Sequence, residues 1–343
     1  MNSVERAFIA RSQFILKQKV QWFPGHMRKG IKDIGRTLKN TDLILEVHDA
    51  RIPFSGRNLN LLSRIASVKP ILLLMNKSDL INNKDKCRIE EELFARMGSN
   101  NVPIKHIFWM NSLHSNPIYG GYDSKLMTTI ISSIEKIANV GSNNNLFQTD
   151  DHYNLLVMGI PNVGKSTVIN RLRNVFLQKS GKATKIGSLA GVTRSVLEKI
   201  KICDNPKKIY LYDTPGILEP SFHRLETNAD IEAMMRCAVC GNISEKVLEA
   251  ELTADYLLYW MNKMANYQYV EWFGMDKPTN DITELLTYGA IKFNFFEKRR
   301  SMTTGETNIV PQLSSVADKF VYAFRDGSFG PILLDEDHLR MTK

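Results

Sequence analysis

The sequence predicts an α/β fold: a doubly wound, mostly parallel sheet followed by a helical C-terminal domain. Three observations carry this. Short apolar runs at 43–47, 71–75, 104–110, 155–158 and 209–212 each end in a polar turn, as buried parallel strands do. Helical patterns lie between them at 56–66, 84–97, 124–138 and 165–174, and such alternation builds a sheet covered on both faces. After about residue 230 the pattern turns helical, with runs at 229–240, 244–266 and 282–296.

A chain of 343 residues has room for about two domains. The expected organisation is a basic amphipathic leader at 1–20, an α/β domain at 21–229 and a helical domain at 230–343. A polar, asparagine-rich linker at 141–152 divides the α/β domain into two halves. The stretch 324–330, Phe-Arg-Asp-Gly-Ser-Phe-Gly, reads as a short helix finishing in a turn.

A hydrophobic fraction of 43% with 24% charged residues excludes an intrinsically disordered chain. Four scattered cysteines, Cys87, Cys203, Cys237 and Cys240, exclude a disulfide framework and suit a reducing compartment. Cys237 and Cys240 lack a second ligand pair and read as two buried thiols on a helix. No apolar run reaches the roughly 18 residues of a membrane-spanning helix, and no secretory signal is evident. The net charge of +9 suggests a polyanion partner or a basic compartment such as the mitochondrial matrix. Arg6, Arg11, Lys17 and Lys19 are interleaved with Phe8, Ile9, Phe14, Ile15 and Leu16, against the single acid Glu5. This segment reads as a mitochondrial targeting peptide, or as an ordinary N-terminal helix that binds a partner or the body of the protein.

The strongest motif is Gly159-Ile-Pro-Asn-Val-Gly164-Lys165-Ser166, which matches G-x-x-x-x-G-K-[ST] between a predicted strand and a predicted helix. Glycines let backbone N–H groups wrap a phosphate chain, and the helix N-terminus adds partial positive charge. The phosphate-binding set is Asn162, Val163, Gly164, Lys165, Ser166 and Thr167. Lys165 supplies a point charge to the β- and γ-phosphates, and Ser166 is a candidate Mg²⁺ ligand. The base is named by Asn76-Lys77-Ser78-Asp79, just past a predicted strand. An aspartate accepts from both the N1–H and the exocyclic amine of guanine, a donor pair adenine lacks. The Lys77 stem can pack over the base, and Asn76 can tie this loop to the P-loop. Asp213-Thr-Pro-Gly216 follows another strand: Asp213 is placed to hold the Mg²⁺ shell, and Gly216 N–H to sense a γ-phosphate. Thr193, in Gly191-Val-Thr-Arg194, is a candidate to complete the Mg²⁺ site and order a switch loop. Ser112, after Asn111 at a strand end, is a candidate backbone support for the guanine.

The order of these motifs is informative. Ras-like GTPases begin with the P-loop and end with N-K-x-D and the base loop. Here N-K-x-D comes first, then the linker, the P-loop, the threonine and D-T-P-G. That order is a circular permutation of a P-loop GTPase domain, and it leads D-T-P-G directly into the C-terminal domain.

With Trp22-Phe-Pro-Gly-His-Met27, Asp49-Ala-Arg-Ile-Pro53 and the closing Phe324-Arg-Asp-Gly, the chain resembles the circularly permuted GTPases of the RbgA/YlqF type, including mitochondrial members. The likeness spans about 20–230 well and the tail loosely. It implies GTP hydrolysis stimulated by the ribosome, and a role in late maturation of the large ribosomal subunit through rRNA and ribosomal-protein contacts. It also implies a mitochondrial matrix location, peripheral on the inner membrane. GTP/GDP are the expected ligands, Mg²⁺ the expected cofactor, and a monomer the expected state.

Ile217 stands where Ras-like enzymes orient water with glutamine. The resemblance points to His26 as the replacement. A turn-capping histidine is the other reading. It also makes Asn162 a candidate K⁺ ligand, K⁺ then offsetting charge at the β–γ bridge. Two residues depart from the family pattern: Ala190 where a proline usually precedes Gly-Val-Thr, and Leu113 where the base loop usually has alanine. Residues 151–210 hold eleven basic residues against three acidic, a net +8, and residues 1–40 nine against two, a net +7. Both would attract rRNA. Lys298-Arg299-Arg300 is a shorter basic cluster on the helical domain. The alternatives are a GTP-locked RNA-binding scaffold with little hydrolysis, or a GTPase acting on tRNA modification or translation.

Overall fold

A computed structural model of the chain describes residues 8–16, 34–57, 62, 69–100, 104–111, 121–142, 152–177, 199–204, 207–214, 216, 227–245, 247–300 and 307–340. The chain forms two compact units, each made of separate stretches. One comprises Gln21–Leu225 with Pro331–Lys343, the other Met1–Val20 with Glu226–Gly330.

The first unit is built on a six-stranded sheet of β1 (Leu43–Asp49), β2 (Ile71–Asn76), β3 (Ile104–Trp109), β4 (His152–Met158), β5 (Lys199–Cys203) and β6 (Lys208–Asp213). The strand order is β3-β2-β1-β4-β6-β5. Every pairing is parallel except that of β5 with β6. β1 and β2 are buried along their whole length; β2 is apolar up to Asn76, whereas β1 is apolar mainly in its first half and carries the buried Glu46, His48 and Asp49 towards its carboxyl end. The edge strand β3 is partly exposed, its polar Lys105 and His106 lying at the surface. Helices α1 (Asn83–Asn100), α2 (Gly121–Ser142) and α3 (Lys165–Leu177) connect or follow the strands, α2 packing on β1 and α3 on β5 and β6. From β1 the chain winds outward through β2 and β3; from β4 it passes to the edge strand β5 and returns as β6, between β5 and β4. The order therefore reverses between β1 and β4, and ligands bind open α/β sheets at the strand carboxyl ends beside such a reversal.

Two details differ from the sequence reading. The expected linker begins inside α2 and ends on β4, because Gly141 and Ser142 are helical and His152 is the first strand residue. Residues 143–151 lie outside the described set. β5 escapes a search for apolar runs because Lys199-Ile-Lys-Ile-Cys203 is a short, alternating edge strand.

The second unit contains α4 (Asn228–Val239), α5 (Ala250–Lys263), α6 (Gln268–Phe273), α7 (Ile282–Phe293) and α8 (Leu313–Arg325), with a hairpin of β7 (Phe296–Arg300) and β8 (Thr307–Pro311). Local chemistry sets the helix ends. Thr227 and Asp230 form a reciprocal capping box at α4, Asp281 caps α7 by accepting from Thr283 N–H, and Asn294 ends α7 in the left-handed region. The helix expected over 282–296 stops at Asn294, and the hairpin begins two residues later. In the run expected at 244–266, the helix starts only at Ala250. Gly289 lets α7 approach closely, since a Cβ there would lie 2.4 Å from Val316 Cγ1 and 2.5 Å from the Phe273 ring. Cys237 and Cys240 are both buried, at the end of α4.

The described part of the expected leader, residues 8–16, packs within this helical unit. Phe14 is buried, with its ring centroid 5.0 Å from that of Tyr256 and 5.8 Å from that of Tyr259. Arg11 Nη2 donates to Asp255 Oδ1 at 2.7 Å, and Asn280 Nδ2 donates to Ile9 O at 2.8 Å. Arg11 and Phe14 thus serve an ion pair and a ring cluster within this unit, while Ile9 and Ile15 stay exposed. The last described residues, 331–340, belong instead to the sheet unit and include the short helix α9 (Glu336–Arg340).

Candidate functional site

Four loops converge at the carboxyl ends of β1, β2, β4 and β6. The loop after β4 is the P-loop. Gly159 (φ +151°) and Gly164 (φ +100°) take backbone conformations that favour glycine, and Asn162 (φ +59°) is left-handed, which asparagine tolerates. A Cβ on Gly159 would lie 2.2 Å from Val47 O, so only glycine lets the loop lie this close to β1. Lys165 opens α3, is buried, and donates from Nζ to Gly159 O at 3.1 Å and Ile160 O at 2.9 Å. Burial pulls its pKa down to about 8, against the opposing pull of the Asp213 carboxylate. A buried ammonium short of counter-charge is poised for an anionic ligand. Ser166 and Thr167 form the first turn of α3, where unpaired N–H groups and the helix dipole favour phosphate.

Asp213 ends β6. Burial raises its pKa, countered by Lys165 and by the Thr214 N–H, and its Oδ1 is buried with no hydrogen-bond partner among the described residues. An orphaned carboxylate oxygen beside a phosphate loop and a helix-opening serine fits a hard divalent cation. Mg²⁺, the usual cofactor of a GTPase domain, would be held through Asp213 and Ser166 and would offset phosphate charge. Thr214 Oγ1 donates to Val157 O at 2.7 Å, tying this loop back to β4. Gly216 lies against the P-loop: a Cβ there would be 2.5 Å from Pro161 N and 2.6 Å from its Cα.

The base loop follows β2. Asn76 is buried, and its Nδ2 donates to Val163 O at 2.7 Å, joining the base loop to the P-loop. Lys77 is left-handed (φ +59°), and residues Ser78–Leu80 form one 3₁₀ turn that carries the exposed Asp79. Ala50 N–H donates to Asn76 O at 2.9 Å, and Ser78 N–H to Met110 O at 3.1 Å, so loops from three strands meet there.

The Lys77 ammonium lies 2.8 Å from Asp49 Oδ2, and Arg51 binds the same carboxylate through Nε at 3.0 Å and Nη2 at 2.8 Å. Burial alone would raise the Asp49 pKa, but Arg51 and then Lys77 hold it well below the ordinary carboxylate range. Nearby, Arg57 pairs in fork geometry with the buried Glu46, at 3.0 and 2.7 Å. Lys77 is among the candidates that motif reading supplies, but its partners Asp49 and Arg51, and Thr214, are not. Asp49 and Arg51 were legible only as part of Asp49-Ala-Arg-Ile-Pro53. His26, Ser112 and Thr193 lie outside the described residues, as do Leu113, Ala190 and Ile217.

Fold and site together define a P-loop GTPase whose motifs run in permuted order. A family model described as a 50S ribosome-binding GTPase matches residues 154–271. The chain is 38% identical over 94% of its length to "Mitochondrial GTPase 1" of Aedes aegypti, covering 95% of that protein. It is also 38% identical to "Mitochondrial ribosome-associated GTPase 1" of Xenopus tropicalis, over 93% of this chain and 95% of the relative. Against "Ribosome biogenesis GTPase A" of Bacillus pumilus the identity is 32%, over 71% of this chain and 76% of the other. The chain belongs to this family of mitochondrial and bacterial ribosome-associated GTPases, the RbgA/YlqF type, and it is a GTP hydrolase.

Proposed function

We propose that this GTPase binds the large ribosomal subunit in the mitochondrial matrix and couples GTP hydrolysis to a late step of its assembly, and so to mitochondrial translation. The supporting observation is likeness over nearly the full chain to proteins named as mitochondrial ribosome-associated GTPases, joined to a site where base loop, P-loop and switch strand meet. The base is read by Asp79, with Asn76 and Lys77 as its supports and Ser112 as a backbone contact. The phosphates are held by residues 162–167, and Gly216 senses the γ-phosphate. Mg²⁺ is held by Ser166, Asp213 and Thr193.

Lys165 donates a fixed positive charge, and its low pKa in the free protein rises once phosphate oxygens face it. Hydrolysis then needs a positioned water, which the aliphatic Ile217 cannot supply. His26 takes that role when the ribosome docks, and K⁺ at Asn162 offsets charge at the bridging oxygen. The basic stretches at 1–40 and 151–210, and the helical domain with its exposed strand Phe296–Arg300, are the surfaces offered to rRNA. Any contact with the inner membrane is peripheral in this reading. No helix among the described residues is long and apolar enough to cross a membrane. The protein acts as a monomer.

The test is GTP turnover with and without purified mitochondrial large subunits, in K⁺ and then Na⁺ buffer. Large ribosome-dependent stimulation, lost in His26→Ala while GTP affinity is kept, is the expected result. Tight GTP binding without stimulation would replace this reading with a nucleotide-locked RNA scaffold. Equal rates in the two salts would remove K⁺ from it.

A further inference from the structure

The segment that closes the described chain is tied by its own backbone to the loops that present Asp79. Ile332 N–H donates to Leu80 O at 3.0 Å, at the end of the 3₁₀ turn carrying Asp79. Leu334 N–H donates to Arg51 O at 2.9 Å, in the loop that follows β1, whose last residue Asp49 holds Lys77. Asp335 is fully buried, and its carboxylate accepts from Phe54 N–H at 2.7 Å and Ser55 N–H at 2.9 Å on Oδ2 and from Ser55 Oγ at 2.5 Å on Oδ1.

Apolar and charged contacts extend this attachment. Leu333 and Leu339 join a buried cluster with Ala50 and Phe54 of the loop after β1 and with Met75 and Ile81, which flank the base loop on both sides. Glu336 pairs with Arg88 of α1 at 3.0 Å. Arg96 donates to His338 O at 3.1 Å while its guanidinium lies 4.4 Å from the centre of the Phe54 ring.

A surface tail has no need to bury a carboxylate on two backbone N–H groups. Burying a charge is tolerated only where hydrogen bonds offset the desolvation, and those bonds then fix the groups that make them. Here the groups fixed by Asp335 belong to the loop after β1, the strand whose last residue Asp49 holds Lys77, while the turn that carries Asp79 is held separately by the Ile332 N–H.

We propose that residues 331–340 form a strap that sets guanine recognition, with Asp335 as a positioning residue for the Asp79 and Lys77 side chains. The strap gives the base loop its geometry without touching the nucleotide. It follows Gly330, the last residue of the helical unit, so the chain runs from that unit directly into the base loop's support. The inference rests on the reading of Asp79 as the guanine acceptor.

The experiment measures GDP and IDP affinity on the full-length protein. Inosine lacks the exocyclic amine, so the GDP-to-IDP ratio reads the second hydrogen bond to Asp79. One unmade hydrogen bond to a charged group is worth about tenfold. Wild type is expected to prefer GDP by about that factor, and Asp79→Ala to erase the preference. If wild type shows no preference, or Asp79→Ala keeps it, the guanine reading itself fails. With that control in hand, Asp335→Ala should bring the ratio most of the way to one, and Ser55→Ala, which removes a single bond, should lower it part of the way. A purely structural role for the strap would reduce the folded fraction and leave the ratio of the two affinities intact. If Asp335→Ala does not fold, Ser55→Ala decides: a lowered ratio supports the strap, an unchanged ratio overturns it. An unchanged ratio in folded Asp335→Ala overturns it equally.

Discussion

The two sides of the nucleotide site are built by different means. On the phosphate side the geometry is backbone: Gly159, Asn162 and Gly164 at positive φ, Gly216 against Pro161, and the N-terminus of α3. On the base side the geometry is side chain: Arg51 and Lys77 on Asp49, Arg57 on Glu46, and Asp335 on the backbone of 54–55. Phosphates are recognised largely by N–H groups that every residue but proline carries, so beyond Lys165 and the Mg²⁺-facing side chains that side needs chiefly a chain path. Guanine is recognised by one carboxylate at one position, so that side needs an immobile mount. The mount draws on stretches far apart in sequence: 46–57, 76–80 and 331–340.

The largest break expected on the base side comes from Asp49→Asn. The isosteric amide keeps the shape and removes the charge that Arg51 and Lys77 share, leaving a buried guanidinium uncompensated. Removing one partner of a buried pair costs about 3–5 kcal/mol. Chemical denaturation of the full chain should show that loss in the transition of the sheet unit, with the helical unit's transition unmoved. The pH dependence gives a sharper signature. The folded pKa of Asp49 is depressed, so its contribution is complete above the unfolded value of about 4 and is lost as pH falls through the lower folded value. The stability gap between wild type and Asp49→Asn should therefore be flat from about pH 7 to 5 and close only in stronger acid. A gap that closes near neutrality would show that the mount is held by something other than this carboxylate.

On the phosphate side, Gly216→Ala tests whether backbone proximity is what distinguishes GTP from GDP. Its Cβ would fall 2.5 Å from the backbone nitrogen of Pro161, so one loop must retreat. GTP affinity should drop about tenfold relative to GDP, the worth of one hydrogen bond to a charged oxygen. Matched losses for both nucleotides, seen by titration of labelled analogues, would assign Gly216 to loop packing alone. The GDP-to-IDP ratio should stay at its wild-type value, because the base mount is untouched.

This division also explains what the sequence disclosed. The parallel sheet was legible because central strands buried on both faces are apolar runs, and the P-loop and base motif were legible because their chemistry demands fixed residue types at fixed spacing. β5 was not, being short and alternating, and the hairpin of β7 and β8 hides behind a helix whose apolar pattern runs on past Asn294. The mount was legible only in fragments. Nothing about Asp335 marks it in sequence, since an aspartate 281 positions from the backbone it binds leaves no periodicity. Residues 8–16 show the converse ambiguity. The basic and apolar pattern of residues 1–20 matches an import signal, and within it residues 8–16 set Arg11 on Asp255 and Phe14 against two tyrosines. Composition alone does not separate the two.

The smallest expected effect is also the one that asks whether the two sides are independent. Among the described contacts, Asn76 is the side chain that bridges them, donating from the base loop to the P-loop carbonyl of Val163. Asn76→Ala removes that bond and costs about 1 kcal/mol, roughly a fivefold loss of affinity. GDP spans both loops and should show the full loss. Pyrophosphate touches only the P-loop and should bind as before if Asn76 aligns one side with the other. Equal losses for both ligands would mean that Asn76 props the P-loop itself, and the two sides would then be one structure reached by two kinds of bond. A double-mutant cycle with Asp49→Asn completes the test. Coupling above about 0.5 kcal/mol in GDP binding would place Asn76 inside the base mount, whereas additivity would leave it a separate strut between two independently built halves.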